Sequence, residues 1–170
     1  MRLFFALWPP RETAEALAAW AQEVAASSGG RVTAVENIHL TLAFLGEADA
    51  QAAIHAARGA NALRHELPIE TAKYVRRNEM VWVAPTALPP ALAELVQSLH
   101  SCLRLASFRL EERAFSAHVT LIRKARMPQS LPPLPAVEWP VDEFVLMRSR
   151  TSSKGSTYEI AGRFPLTTLR

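Results

Sequence analysis

The sequence predicts an α+β fold with mostly antiparallel sheet. Short apolar runs of strand length are separated by three longer segments with helical periodicity, in the order strand, helix, strand, helix, strands, helix, strands. In addition, the pattern His-x-Thr-x occurs twice, at 39–42 and 118–121, about half of the 170-residue chain apart. The repeat indicates an internal duplication in which each half supplies one motif strand and a preceding helix.

The first half of the chain predicts two strands and two helices. The aromatic-rich run 2–8 ends at two prolines and suits a buried strand, and the motif segment 38–45 suits a second one. Helices are predicted for 9–30, which ends at a Gly-Gly pair, and for the alanine-rich segment 49–64. The buried stripe of the first helix should consist of Leu17, Trp20, Ala21 and Val24, which recur at helical spacing.

The second half predicts a helix between two groups of strands. The segments 68–77 and 79–85 suit paired strands with a tight turn at Arg77 and Asn78, and 88–106 suits the third helix. Further along, 108–125 suits one or two strands, and the proline-rich segment 127–140 suits an extended connection. The chain then closes with a hairpin formed by 142–150 and 157–166.

Composition narrows the class of protein. A chain of 170 residues with 49% hydrophobic residues suits one domain, 1–170, with a substantial core, and a net charge of +3 weakly favours an anionic partner. The one cysteine, Cys102, excludes an internal disulfide, suits a reducing compartment and lies on a helix stripe as a structural thiol. No run approaches the roughly 18 apolar residues of a membrane helix. We therefore expect a soluble, cytoplasmic protein.

The two motifs predict a shared polar site. Strand side chains alternate between faces, so His39 and Thr41 should point to one side while Leu40 and Leu42 point to the core. His118 and Thr120 have the same arrangement. If the halves pack about an approximate two-fold axis, two imidazoles and two hydroxyls converge in one cleft.

Two facing imidazoles suit paired acid and base catalysis, because a histidine pKa of about 6.5 lets one ring be neutral and the other charged near neutral pH. Threonine hydroxyls and nearby cations bind phosphate. The set therefore suits in-line displacement at a phosphodiester. One occurrence of His-x-Thr alone would indicate only a structural pair; two occurrences in matching contexts favour catalysis.

Other interpretations of the histidines are weaker. A catalytic metal is disfavoured because metal-dependent phosphoesterases usually rely on carboxylates, and the two aspartates, Asp49 and Asp142, lie outside the motifs. We expect neither a metal nor another cofactor. His55, His65 and His100 lie in or at the end of predicted helices without a repeated context, so solvated helix faces explain them.

The chain resembles the two-histidine (2H) phosphoesterases, specifically the RNA 2′,3′-cyclic phosphodiesterases historically called 2′-5′ RNA ligases. The resemblance rests on "RLFFAL", "ENIHLTLAFLGE", "SAHVTLIRKA" and "STYEI", and it covers nearly the whole chain. It implies a bilobal fold in which two mostly antiparallel sheets line a central groove, with helices packed outside and a pseudo-two-fold duplication.

The same resemblance implies an activity and its residues. The substrate would be RNA or a nucleotide with a 2′,3′-cyclic phosphate end, opened to a 2′-phosphomonoester without metal or ATP by a protein that we expect to be monomeric. His39 would be the proton donor and His118 the proton acceptor, while Thr41, Thr120 and Arg123 would contact the phosphate. Reversal of the reaction would give 2′-5′ ligation.

Arg123 presents a difficulty of geometry. In an unbroken strand it has the parity of Val119 and Leu121, opposite to His118, so it reaches the phosphate only if the strand ends or bulges after Leu121. Otherwise it is a solvated surface residue.

Further basic and aromatic residues are candidates for contact with RNA. A basic track could extend from the site through Lys124, Arg126, Arg148, Arg150 and Lys154. Phe5, Trp82 and Tyr158 could stack on a base, although burial in the sheet core is the favoured interpretation of each. The remaining alternatives are an RNA-binding module without turnover, or the same chemistry on another cyclic phosphate or a 2′-5′-linked oligonucleotide.

Overall fold

A computed structural model of the chain describes residues 2–168 and confirms the α+β class. Within that range the α-helices are α1 (Arg11–Ser28), α2 (Ala50–Ala57) and α3 (Pro90–Leu105). A 3-10 helix spans Val35–Asn37. The strands are β1 (Arg2–Leu7), β2 (Arg31–Val32), β3 (Leu40–Glu47), β4 (His65–Glu66), β5 (Thr71–Val75), β6 (Met80–Ala84), β7 (Val119–Arg123), β8 (Pro140–Val141), β9 (Glu143–Ser152) and β10 (Gly155–Pro165).

The strands form two four-stranded antiparallel sheets and one short pair. The first sheet has the order β10-β9-β1-β3, and the second has the order β2-β7-β6-β5. The pair is β4 with β8. The first sheet therefore joins strands from both ends of the chain, and each four-stranded sheet contains one motif strand, β3 or β7.

Helices α1 and α3 each bury an apolar stripe, and that of α1 is the one predicted from the sequence. Helix α1 buries Leu17, Trp20, Ala21 and Val24, and ends at Gly29, whose φ of 62° lies in the left-handed region. The side chain of Asp49 caps α2 by accepting a hydrogen bond of 2.9 Å from the backbone N–H of Gln51. Helix α3 buries its leucine stripe: Leu92, Leu95, Val96, Leu99 and Leu103.

Helix α2 is shorter than predicted, since it ends at Ala57 instead of reaching residue 64. The chain turns at Arg58 and Gly59, where α2 comes close to α3. A Cβ atom at Gly59 would lie 3.1 Å from the Sγ atom of Cys102, so glycine permits this close approach. Cys102 is free and half-buried, which agrees with a structural thiol.

The segment 108–125 contains one strand, β7, which agrees with the prediction of one or two strands, and residues 108–118 before it have no regular structure. One detail of the second half differs from its prediction. The turn between β5 and β6 has four residues, 76–79, because Val75 pairs with Met80. The closing hairpin of β9 and β10 is confirmed.

The proline-rich segment is an extended connection, as predicted, and it packs on helix α1. The indole Nε1 of Trp20 donates to the carbonyl of Pro132 at 3.0 Å, and the hydroxyl of Thr13 donates to the carbonyl of Glu138. None of the helices among residues 2–168 is both long and apolar enough to cross a membrane.

Both motif strands contain the same irregularity, one residue after the motif threonine. In β3, Thr41 pairs with Ala6 and Ala43 with Phe5, so Leu42 has no partner in β1. In β7, Thr120 pairs with Trp82 and Ile122 with Val81, so Leu121 is the extra residue. Each bulge places two consecutive buried residues in the strand and reverses the alternation of faces beyond it.

A donor from outside the strand pair binds the carbonyl of each bulged residue. The Nε2–H of His100, on helix α3, donates to the carbonyl of Leu42 at 2.8 Å, and the backbone N–H of Thr33 donates to that of Leu121 at 2.8 Å. His100 also contacts the ring of Phe115 edge-on. The interpretation of His100 as part of a solvated helix face is therefore wrong; its side chain joins α3 to β3.

Replacing His100 by Leu should lower the free energy of unfolding by about 1–2 kcal/mol, because the substitution leaves the Leu42 carbonyl without its donor. Urea denaturation measures the change. The matched control is His55→Leu on the exposed face of α2, which should alter stability by less than about 0.5 kcal/mol. Equal changes in the free energy of unfolding for the two substitutions would contradict the structural role of His100.

Candidate active site

The two motif histidines have the same local hydrogen bonding. The Nδ1–H of His39 donates to the carbonyl of Asn37 at 2.6 Å, and the Nδ1–H of His118 donates to the carbonyl of Ser116 at 2.9 Å. Each histidine immediately precedes its motif strand. Because the carbonyl two residues back holds the Nδ1 proton, the Nε2 atom of each ring is the one available for proton transfer.

A tryptophan ring stacks on each imidazole. Trp8 lies parallel to His39, with ring centroids 4.7 Å apart, and Trp82 lies on His118, with centroids 3.9 Å apart. The edge of Tyr158 also contacts His39, at 5.5 Å between centroids. Burial in the sheet core, the favoured interpretation of Trp82 and Tyr158, is thus wrong, because both are half-buried beside a motif histidine.

Phe5 differs from these two aromatic residues because it is fully buried. It packs in the main core against Phe144 and Phe164. Burial of this ring was the favoured interpretation, and the structure confirms it; Phe5 has no surface on which a base could stack.

The environment of His39 disfavours its charged form. Burial among the rings of Phe4, Trp8 and Tyr158 is the main cause that lowers the pKa of His39 to about 4. The hydrogen bond to the Asn37 carbonyl acts in the opposite direction. The positive charges of Arg123 and His118 lower the pKa further, so both residues of the second sheet lie within electrostatic range of His39.

The bulge at Leu121 decides the position of Arg123. Beyond it, Ile122 faces the core and Arg123 is exposed on the side of Thr120. Thr120 Oγ1 and Arg123 Nη1 both lie 3.9 Å from the sulfur of Met80. The geometric condition for Arg123 to share a face with the motif is met. We call this side of each sheet, which carries its motif threonine, the groove face.

Glycine at position 30 helps to fix the end of β7. Gly30 has a φ of 91°, and a Cβ atom there would lie 2.6 Å from the carbonyl oxygen of Arg123. Only a residue without a side chain allows this approach in that conformation. The loop after α1 therefore packs directly on the backbone of the arginine.

The corresponding bulge in β3 brings a phenylalanine to the groove face. Phe44 follows two buried residues, pairs with Phe4, and is 50% exposed. It occupies the same position after its motif as Arg123 does after the second motif. The sequence alone hides Phe44, because regular alternation from Thr41 would place it on the core side.

The groove face of the first sheet continues into a cavity of about 510 Å³. Trp8 and Tyr158, which contact His39, form part of its wall. Three carboxylates, those of Glu36, Asp142 and Glu143, also line the cavity. Arg163 lies there as well, but its guanidinium binds Glu143 at 2.7 Å.

Several residues of the predicted basic track lie elsewhere. Arg148 pairs in register with the core residue Leu3 and contacts Glu159, so it faces away from the groove, and Arg150 shares its parity. The backbone of Arg126 binds Ser28 at the end of α1. Arg148 and Arg150 therefore do not extend a basic track along the groove face, and a contact of Lys124, Arg126 or Lys154 with RNA stays a prediction.

No metal centre is visible in the described part of the chain. Among residues 2–168, no three His, Cys, Asp or Glu side chains come close enough together to hold a metal ion. The motif histidines share the groove faces with threonine hydroxyls, the guanidinium of Arg123 and aromatic rings. This set can bind an anion and transfer protons at two points.

The chain is similar in sequence and in structure to phosphodiesterases over almost its whole length. Two relatives named RNA 2′,3′-cyclic phosphodiesterase, from Escherichia coli (strain K12) and Thermus thermophilus, are 32% and 31% identical over 98% of this chain, and it covers 97% and 90% of them. A crystal structure of E. coli LigT complexed with 3′-AMP matches with a TM-score of 0.89, 30% identity and 98% coverage of both chains.

The sequence model of the family described as LigT like phosphoesterase matches twice, over residues 7–82 and 83–158. Each matched segment contains one His-x-Thr motif, which supports the internal duplication. Together the two matches cover most of the chain, and it therefore belongs to the LigT-like phosphoesterase family.

Proposed function

We propose that the protein hydrolyses 2′,3′-cyclic phosphate ends of RNA or nucleotides to 2′-phosphomonoesters, with His39 as proton donor and His118 as proton acceptor. The observation that carries the proposal is the matched pair of imidazoles. Each has its Nδ1 proton bound to a carbonyl and its Nε2 available, and the two lie within electrostatic range of each other. The relatives' names support the same substrate class.

The reaction uses the two rings in one displacement. The Nε2 of His118 takes a proton from water as its oxygen attacks phosphorus. The bond from phosphorus to the 3′ oxygen breaks, and the Nε2–H of His39 gives that oxygen a proton. Arg123, Thr41 and Thr120 bind the phosphate oxygens, whose charge grows during the attack.

The low pKa of His39 has a mechanistic consequence. With a pKa of about 4, the ring is neutral near pH 7 in the free protein and has no proton to give from Nε2. A bound phosphate anion supplies the opposite charge, which raises the pKa of an adjacent imidazole. Substrate binding thus loads His39 with the proton that it donates.

The reverse reaction needs no further group. A 5′-hydroxyl in the place of water would attack the cyclic phosphate at the same pair of histidines and give a 2′-5′ linkage. Water is present at far higher concentration, so hydrolysis prevails. We also propose that the enzyme acts as a monomer and that it is cytoplasmic; the free thiol of Cys102 supports the second point, because it suits a reducing compartment.

The single substitutions His39→Ala and His118→Ala should each lower kcat about 10²-fold or more, because each variant lacks one proton-transfer group. The assay follows a nucleoside 2′,3′-cyclic phosphate and an RNA with the same end in excess EDTA, and resolves 2′- from 3′-phosphate products. His55→Ala is the control. Binding of the RNA without turnover by the parent protein would support a binding module instead, and activity only on a 2′-5′-linked oligonucleotide would change the substrate class.

The His39 ring should titrate near pH 4 in the free protein and at higher pH when inorganic phosphate is bound. NMR of the ring protons measures this pKa. In Trp8→Leu, water reaches the ring, and the pKa should rise toward the ordinary value of about 6.5. Trp82→Leu, which uncovers the other imidazole, should leave it near 4. Titration of His39 near 6.5 in the parent protein would contradict the proposed proton loading.

Replacing Phe44 by Ala should raise KM for a nucleotide substrate about fivefold or more, because this exposed ring on the groove face can stack on the base and such stacking contributes about 1–3 kcal/mol. The matched control is Leu105→Ala, at an apolar residue of α3 that is 88% exposed, and this substitution should leave KM unchanged. Equal KM values for the parent and Phe44→Ala would exclude the stacking role.

A further inference from the structure

Lys73 lies on the groove face of the second sheet, in register with the motif. It pairs with Trp82 in β6, and Trp82 pairs with Thr120 in β7. Directly opposed residues of antiparallel strands have their side chains on the same face. The neighbours Ala72 and Tyr74 pack against the core on the other face, and Lys73 itself is exposed.

The charge of Lys73 has no structural explanation. Strands β5, β6 and β7 contain two charged residues, Lys73 and Arg123, and both are cations on the groove face. Within the described residues, the ammonium group of Lys73 has no ion pair and no hydrogen bond. A free cation beside an anion-binding site is suited to a second anion.

The spacing of Lys73 from the motif threonine Thr120 suits two neighbouring phosphates. Adjacent strands lie about 4.8 Å apart, so the backbone of Lys73 in β5 lies about 10 Å from that of Thr120 in β7. The long side chain of Lys73 can extend across much of that distance. The flat ring of Trp82 lies between them and stacks on His118. One ribose separates the cyclic phosphate of an RNA end from the phosphodiester on its 5′ side.

The groove face of the first sheet is unsuited to that phosphodiester. Its continuation beyond His39 is the cavity of about 510 Å³, where Glu36 and Asp142 contribute negative charge and Arg163 is paired with Glu143. A phosphate group entering this cavity would be repelled. The second sheet therefore offers the favourable path for the RNA backbone.

We propose that Lys73 binds the phosphodiester on the 5′ side of the terminal nucleoside, so that the protein acts on the ends of RNA chains in preference to free nucleoside cyclic phosphates. This inference rests on the proposed function and names its substrate more closely. Lys73 contacts a group remote from the reacting phosphorus and contributes to binding.

The test compares three substrates: cytidine 2′,3′-cyclic phosphate, its 5′-phosphorylated form, and a dinucleotide ending in the same cyclic nucleoside. For the parent protein, kcat/KM should be about tenfold higher with the second and third substrates than with the first. Lys73→Gln should remove this preference, mainly through KM, and leave the first substrate within about twofold. It should also reduce the dependence of log kcat/KM on log salt for the dinucleotide by about 0.7.

Arg77→Gln, which removes the same charge in the turn between β5 and β6, is the matched control and should preserve the preference. Equal use of the three substrates by the parent, or an equal loss on all three in Lys73→Gln, would overturn the role of Lys73 while leaving the proposed function intact. If Arg77→Gln lost the preference as fully as Lys73→Gln, the overall charge of the protein would explain the preference, and the specific role of Lys73 would be overturned. Absence of turnover on every substrate would overturn the proposed function and this inference with it.

Discussion

The β-bulge after each motif threonine is the constraint on which the candidate site depends. Without it, regular alternation would turn Phe44 and Arg123 toward the core and leave each strand with one imidazole and one hydroxyl on the groove face. With it, each motif strand presents three functional side chains in a row. The His100 and Thr33 donors compensate the bulged carbonyls, so the irregular geometry costs little free energy.

The two groove faces are alike in backbone and different in electrostatics. The second sheet carries cations and a stacked tryptophan, whereas the first carries a buried histidine, aromatic rings and a cavity lined with carboxylates. A duplicated backbone thus holds two imidazoles with unlike environments. In the free protein the position of His39 disfavours its charged form, and in the proposed mechanism the charge of the bound phosphate offsets this cost when His39 acts as the proton donor.

Much of the fold and of the candidate site could be predicted from the sequence, and the features that could not be predicted have physical explanations. Helical periodicity gives α1 and α3 correctly, and the repeated motif points to His39 and His118, because those signals are local. The sequence does not reveal the end of α2, because the close approach of Gly59 to Cys102 of α3 just beyond it joins residues distant along the chain. Strand parity failed for Phe44 because a bulge is set by pairing with another strand. Likewise, the position of Lys73 depends on two pairings in register.

The strand order of the first sheet also governs when the protein becomes competent during synthesis. Strand β1 is synthesised before both motifs, whereas its neighbour β9 and the outer strand β10 are synthesised after them. Until then the hydrophobic side chains of β1 lack half of their partners, and Tyr158, which helps to bury His39, is not yet in place. Folding of this sheet is accordingly dominated by contacts distant in sequence, which form slowly. A nascent chain that does not yet include β9 and β10 would therefore carry both motifs and still have no finished site.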